Sequence, residues 1–194
     1  MKQTFKHRPG LHIEAEFSKE NSPVFRYRLS ATKTGASNNP KSVCAIMQNP
    51  SYACVEFADK SVQVLERVVF EKPYPEFEGV ERLIIVNQFA FIQTNDFAGR
   101  NDQVGRNNDA AIESALSEAE IILLAWGKDN GFSDRKETIE RMIEKQKDKV
   151  LLQLAGIHHE LFMTALLKNI APNKAISLGR QKAPLVPRSG FCRR

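Results

Sequence analysis

Three short polar clusters each follow an apolar run in this 194-residue chain. Gln48-Asn49-Pro50-Ser51-Tyr52 follows the run at 43–47, Asn87-Gln88 follows Leu83-Ile84-Ile85-Val86, and Trp126-Gly127 closes Ile121-Ile122-Leu123-Leu124-Ala125. A carboxamide offers one acceptor oxygen and two N–H donors, so Gln48, Asn49 and Asn87 suit reading the hydrogen-bonding edge of a nucleobase or orienting a water. The Ser51 and Tyr52 hydroxyls and the Phe57 ring add groups that hydrogen-bond or stack. Asp59 is a carboxylate a short way downstream; it is placed either to act as a base or to cap a helix that begins at residue 60. Phosphate-cradling Gly-x-x-x-x-Gly-Lys-Ser/Thr, Gly-x-Gly-x-x-Gly after a strand, and the Gly-x-Ser-x-Gly elbow are all absent. Gly99 and Gly105 read as turn formers in a polar loop.

The positions of these clusters follow from the elements around them. A five-residue apolar run is long enough for a buried strand and too short for a helix. Pro50 has no N–H for a sheet ladder and disfavours helix at Asn49, so the strand stops at residue 48 or 49. Residues 11–17 and 24–29 alternate apolar and polar, which predicts a hairpin. Spacing predicts helices within 57–69, 109–120, 133–147 and 158–168, and a short strand at 174–178. Strands alternating with helices predict a three-layer α/β/α sandwich around a central, mainly parallel four-stranded sheet, with the N-terminal β-hairpin added. In such a sheet the three polar clusters share the carboxyl edge, where open α/β sheets bind ligands.

Composition sets the class. Hydrophobic residues make up 42% and charged residues 26%, which describes one globular domain over 1–194. No run of eighteen apolar residues occurs, so no membrane span is expected, and the N-terminus lacks a signal-peptide core. Cys44, Cys54 and Cys192 are odd in number and widely spaced; they predict reduced thiols, a cytoplasmic setting and no metal or other cofactor. The net charge is +5, yet Lys174, Arg180, Lys182, Arg188, Arg193 and Arg194 stand in a span without acids. Residues 180–194 therefore form a basic segment, read either as a solvated tail or as a tracker of phosphates.

Together these motifs resemble the uracil-DNA glycosylase superfamily. Gln48-Asn49-Pro50-Ser51-Tyr52 is similar to a blend of that family's Gln-Asp-Pro-Tyr-His and Ile-Asn-Pro-Gly patterns. Ile84-Ile85-Val86-Asn87 is similar to its Leu-Leu-Leu-Asn, and Leu123-Leu124-Ala125-Trp126-Gly127 to its Leu-Leu-Trp-Gly. More closely, the chain resembles a bacterial and phage domain family of unknown function, through Asn49 to Ala53, Val86-Asn87-Gln88-Phe89-Ala90, the 102–110 stretch ending Asn107-Asn108-Asp109-Ala110, and Ala125-Trp126-Gly127. The resemblance implies cleavage of an N-glycosidic bond in DNA, with the base swung out of the helix. It implies that Asn49 positions the water with Gln48 beside it, that Asn87 reads the base, and that Ser51, Tyr52 and Phe57 border it. The family's late histidine loop corresponds to 183–190, which holds no histidine; Arg188 or Lys182 would supply the positive charge. His158 and His159 are the late histidines, and adjacent helical residues point apart.

Two function classes follow: a DNA glycosylase acting as a monomer, and a non-catalytic module that binds modified or damaged DNA. An enzyme on free nucleosides is a third. In the first two, Arg180, Lys182, Arg188 and Ser189 face the DNA backbone. If the terminal arginines contact phosphates, Arg193→Ala with Arg194→Ala lowers the log–log salt slope of DNA binding by about 0.7 to 0.9 per lost contact. An unchanged slope in a salt titration shows that the pair is only solvated.

Overall fold

The computed structural model describes residues 5–19, 24–127, 131–157 and 160–165. Its strands are β1 (Leu11–Phe17), β2 (Arg26–Lys33), β3 (Ser42–Met47), β4 (Arg82–Asn87), β5 (Ile121–Leu124), β6 (Val150–Ile157) and β7 (Glu160–Ala165). They form one sheet in the order β1-β2-β4-β3-β5-β6-β7. The four central strands are parallel, while β1 with β2, β2 with β4, and β6 with β7 are antiparallel. The expectation of a four-stranded sheet is therefore corrected to seven strands. The N-terminal hairpin does form, but it extends the sheet, because β2 pairs along β4 from Leu29↔Ile85 to Thr32↔Arg82.

Among the described residues three α-helices cover the sheet: α1 (Lys60–Phe70), α2 (Asn108–Glu118) and α3 (Ser133–Glu144). Alternate residues of the central strands face opposite layers. Val43, Ala45, Leu83, Ile85 and Leu123 pack with Val62, Leu65, Val68 and Val69 of α1. Cys44, Ile46, Ile84, Val86, Ile122 and Leu124 pack with Ile112 and Leu116 of α2 and Ile139, Met142 and Ile143 of α3. Coverage of both faces explains why β3, β4 and β5 read as unbroken apolar runs instead of alternating ones. Each fully buried Leu or Ile stabilises the fold by about 1.5–3 kcal/mol relative to exposure. No helix among the described residues is long and apolar enough to cross a membrane.

The chain's later part departs from expectation. The helix expected over 158–168 is replaced at Glu160–Ala165 by β7, the partner of β6 in a hairpin. Leu161, Phe162 and Met163 fit a helix in isolation, but pairing with β6 along the sheet edge overrides that preference. The fourth parallel strand is β6, whose Val-Leu-Leu-Gln-Leu-Ala-Gly-Ile run has strand length. The strand expected at 174–178 lies outside the described residues, as do His158, His159, Arg180, Lys182, Arg188 and Ser189.

The N-terminal segment is tied to α1 by a buried pair. His7 Nδ1 lies 2.5 Å from Glu66 Oε1, and its Nε2 lies 2.8 Å from the Cys54 carbonyl. The Cys54 carbonyl accepts and a Glu66 carboxylate accepts, so this pair of partners favours the doubly protonated ring over the neutral one. Glu66 is fully buried and also accepts from the Arg8 N–H at 2.9 Å. Burial opposes the charge on His7, but the bonds to Glu66 and Cys54 and the Glu66 charge outweigh it and raise the pKa above the ordinary 6.5. A raised pKa contributes stability that is fully present below the unfolded value and lost as pH rises through the folded one. The melting temperature of the parent chain should therefore exceed that of His7→Gln most below about pH 6.5, and the gap should shrink towards pH 9. A gap that grows with pH in a thermal-denaturation series contradicts the charged pair.

Candidate functional site

The loops leaving β3, β4 and β5 open on one edge. From β3 the chain moves to β4 on one side and, after α2, to β5 on the other, so the strand order reverses beside β3. Crevices at such a reversal are where open α/β sheets hold ligands. Beyond β3 the backbone stays stitched to the β4 exit: Gln88, Phe89 and Gln93 N–H donate to the carbonyls of Met47, Gln48 and Pro50 at 2.8, 3.0 and 3.0 Å.

That stitching positions Asn49. Its Nδ2 donates to the Gln93 carbonyl at 2.6 Å and to the Pro50 carbonyl at 3.2 Å. Two carbonyls demand the NH2 group on that side, so Oδ1 points away from them. It takes no hydrogen bond among the described residues, and Asn49 is only half-buried. The result is an oriented acceptor at the sheet edge, of the kind that holds a water or a donor on a ligand. Gln48 and Tyr52 flank it, half-buried, and the Ser51 hydroxyl shares a 3.0 Å hydrogen bond with Thr94.

Asn87 is the last residue of β4 and pairs with Met47 in register. It is completely buried, and neither its Oδ1 nor its Nδ2 has a hydrogen-bond partner. Gln88, also completely buried, has both side-chain polar atoms in the same state. An unpartnered buried amide costs about 1–3 kcal/mol per group, which makes these two side chains candidates for contact with a ligand. Their backbone is held firmly: Asn108 Nδ2 donates to the carbonyls of Asn87 and Gln88, both at 3.0 Å, and Arg135 Nε donates to the Gln88 carbonyl at 2.6 Å.

Asp59 sits at the N-cap of α1, with Oδ1 accepting from Val62 N–H at 2.9 Å. It is 6% exposed. Arg26 is buried behind the loop, donating from Nη1 to the Ala53 carbonyl at 2.9 Å. Burial pushes its pKa down to about 10 against the opposing pull of Asp59 and Cys54. Phe57 is 45% exposed on the same loop, next but one to Val55 at 47%. Trp126 packs into the core beside α2 and α3. A separate cavity of about 430 Å³ opens between the starts of α2 and α3, lined by Phe89, Phe132, Asp109 and Arg135 among others. Asn49 and Asn87 are not among its walls, so the edge carries two distinct features. Among the described residues no three His, Cys, Asp or Glu side chains converge on a metal position.

A model of the DUF1643 family, proteins of unknown function, matches residues 26–161. The chain belongs to this family. No curated protein matches it. Two solved structures resemble it at 10% identity, covering 77% of this chain and 69% of theirs. One is the S954A mutant of the feruloyl esterase module from Clostridium thermocellum complexed with sinapinate, at a TM-score of 0.33, and the other is a structure of FAE at 0.32. Likeness that distant carries no argument about this chain.

Every edge residue described above lies within the span shared with DUF1643, whereas β1 and His7 lie before it. Three members of the site were given no role by the reading of the sequence. Asn108 and Arg135 stand in the first turns of α2 and α3, where polar residues are ordinary, so only the fold shows that they meet β4. Arg26 was read as one polar position in an alternating strand. A register shift at Glu16/Phe17, opposite Arg28 and Arg26, accompanies its burial. For this DUF1643 chain the orphaned amide gives a direct test: Asn87→Leu should raise the unfolding free energy by about 1–3 kcal/mol, because an apolar group of similar volume removes the unmet polar atoms. A loss of stability in urea denaturation means that the amide is satisfied in the folded chain.

Proposed function

We propose that this protein is a DNA glycosylase, which swings a base out of DNA and hydrolyses its N-glycosidic bond. The observation that carries the reading is the pairing, at adjacent strand ends, of an outward acceptor on Asn49 with an unsatisfied amide on Asn87. It is supported by the resemblance of both motifs to the uracil-DNA glycosylase superfamily. In this reading Asn87 contacts the pairing edge of the flipped base, and Asn49 Oδ1 holds the attacking water.

An amide orients a water but does not take its proton. Cleavage therefore runs ahead of attack: the glycosidic electron pair leaves with the base, positive charge builds on the sugar, and the water adds as its proton passes to solvent. Asp59 already accepts from the α1 backbone, which makes it a supporting charge more than a free base. Chemistry of this kind is slower than with an ionised base in the same place. Ser51 stands where the uracil-specific pattern carries tyrosine, which leaves room beside carbon 5 of a pyrimidine. We therefore extend the proposal to 5-modified cytosines, hydroxymethylated or glucosylated, of the kind found in phage DNA, and to a role in antiviral defence inside the cell. The lack of a histidine in the 183–190 segment favours one alternative, a non-catalytic module that binds modified or damaged DNA.

Incubation with DNA containing uracil, thymine mismatches, 5-hydroxymethylcytosine or its glucosylated form, followed by alkali, separates these readings. The glycosylase gives strand breaks, on the order of 100-fold fewer with Asn49→Ala, and Ser51→Tyr narrows the range to unsubstituted bases. Retention of DNA without breaks on any substrate identifies the binding module instead.

A further inference from the structure

The cavity between α2 and α3 has a composition that selects a ligand. One wall is aromatic: the Phe89 and Phe132 rings meet edge to face, 5.1 Å between centroids. Phe132 is held there because its ring lies against Gly99, where a Cβ would come within 2.0 Å of it. The opposite side is polar, with Asn101, Asp109, Asp134 and Arg135. The cation is already engaged. Arg135 is one-tenth exposed, its Nη2 lies 2.5 Å from Asp109 Oδ1 as an ion pair without the alignment of a hydrogen bond, and its Nε is bonded to the Gln88 carbonyl. Two carboxylates stand against this single guanidinium, so the lining repels an anion. Asp134 Oδ1 takes the Ser133 hydroxyl at 3.2 Å, and the other polar groups of the lining include Asp134 Oδ2, the Asn101 carboxamide and the first N–H groups of α3, whose N-cap Phe132 provides no side-chain bond.

We infer that this cavity is a binding site for a neutral heteroaromatic base bearing an exocyclic amino group, such as cytosine or adenine, either free or as a nucleoside. The half-buried Phe132 ring supplies the stacking surface, with the fully buried Phe89 ring packed behind it, and stacking of this kind tolerates any base. The Asp134 carboxylate accepts from the exocyclic amine, a pairing that favours cytosine over uracil. The free N–H groups of α3 take a ring nitrogen or carbonyl. The volume of about 430 Å³ lies in the range of small-molecule sites. This inference goes beyond the excision reading, because it concerns a different cavity, and it stands without that reading.

The test is titration of the full chain with cytidine, adenosine, uridine, thymidine and cytidine monophosphate, followed by calorimetry and by the backbone amide signals of Phe132 and Asp134. Cytidine or adenosine should bind saturably, at least about fivefold tighter than uridine or thymidine, and cytidine tighter than its monophosphate. Phe132→Leu should weaken binding about tenfold, the loss of one stacking contact. Asp134→Asn, at an exposed position that leaves the fold in place, should remove the preference for amino-bearing bases. Absence of saturable binding, equal affinity for the four nucleosides, or tighter binding of the monophosphate overturns the inference. Because the readout is binding alone, its failure leaves strand breaks on DNA unaffected, and a lack of strand breaks leaves it intact.

Discussion

The parallel register of β3 against β4, with Met47 beside Asn87, governs what the sheet edge can do. Side chains alternate faces along a strand, so a slip of one residue would turn Asn87 to the opposite layer and bury Val86 in its place. The register is pinned from both ends. In the middle, Val43, Ala45, Leu83 and Ile85 must face α1, and Cys44, Ile46, Ile84 and Val86 must face α2 and α3. Past the last strand residues, the carbonyls of Met47, Gln48 and Pro50 hold the N–H groups of Gln88, Phe89 and Gln93. The apolar core therefore sets the position of two amides that contribute nothing to it.

The polar atoms left over form a consistent pattern. Most buried polar groups in proteins find partners. Here the backbone around β4 is well satisfied by Asn108 and Arg135, while the Asn87 and Gln88 side chains are not. Rigid main chain with unmet side chains is the arrangement expected of a site that loses stability in order to bind. Asn49 is its counterpart at the surface, with its nitrogen fixed and its oxygen presented. Behind the same loop, Arg26 and His7 hold the successive carbonyls of Ala53 and Cys54, so the segment that follows Asn49 is braced by two side-chain donors.

Much of this was legible in the chain. The runs ending at Met47, Val86 and Leu124 gave three parallel strands, because an unbroken apolar run of that length fits only a strand covered on both faces. Pro50 marked where β3 must end. The helices at α1, α2 and α3 were legible from their spacing, and Asp59 from its place before Lys60. The seven-strand width was not: whether the Leu11–Phe17 hairpin stands apart or joins the sheet depends on β2 meeting β4, a contact between residues far apart in sequence. β7 was misread because Leu and Met are good helix formers and a run this short does not settle its own period, so only the edge of β6 decides the matter. The cavity at α2 and α3 was invisible for the same reason, since Phe89, Asp109 and Phe132 come from three separate loops and helix starts.

The central claim is that the buried Asn87 amide reads a base while Asn49 faces the reacting bond. The most direct measurement is nuclear magnetic resonance of the side-chain amides of Asn49 and Asn87. They would be followed as the protein is titrated with DNA that carries a 2′-fluoro nucleotide, whose glycosidic bond resists cleavage. The account predicts that the Asn87 Nδ2 signals move strongly, as donors that had no partner acquire one, and that the Asn49 signals move less, since its Nδ2 keeps the Gln93 carbonyl. DNA binding that shifts signals elsewhere and leaves the Asn87 amide unchanged would contradict it.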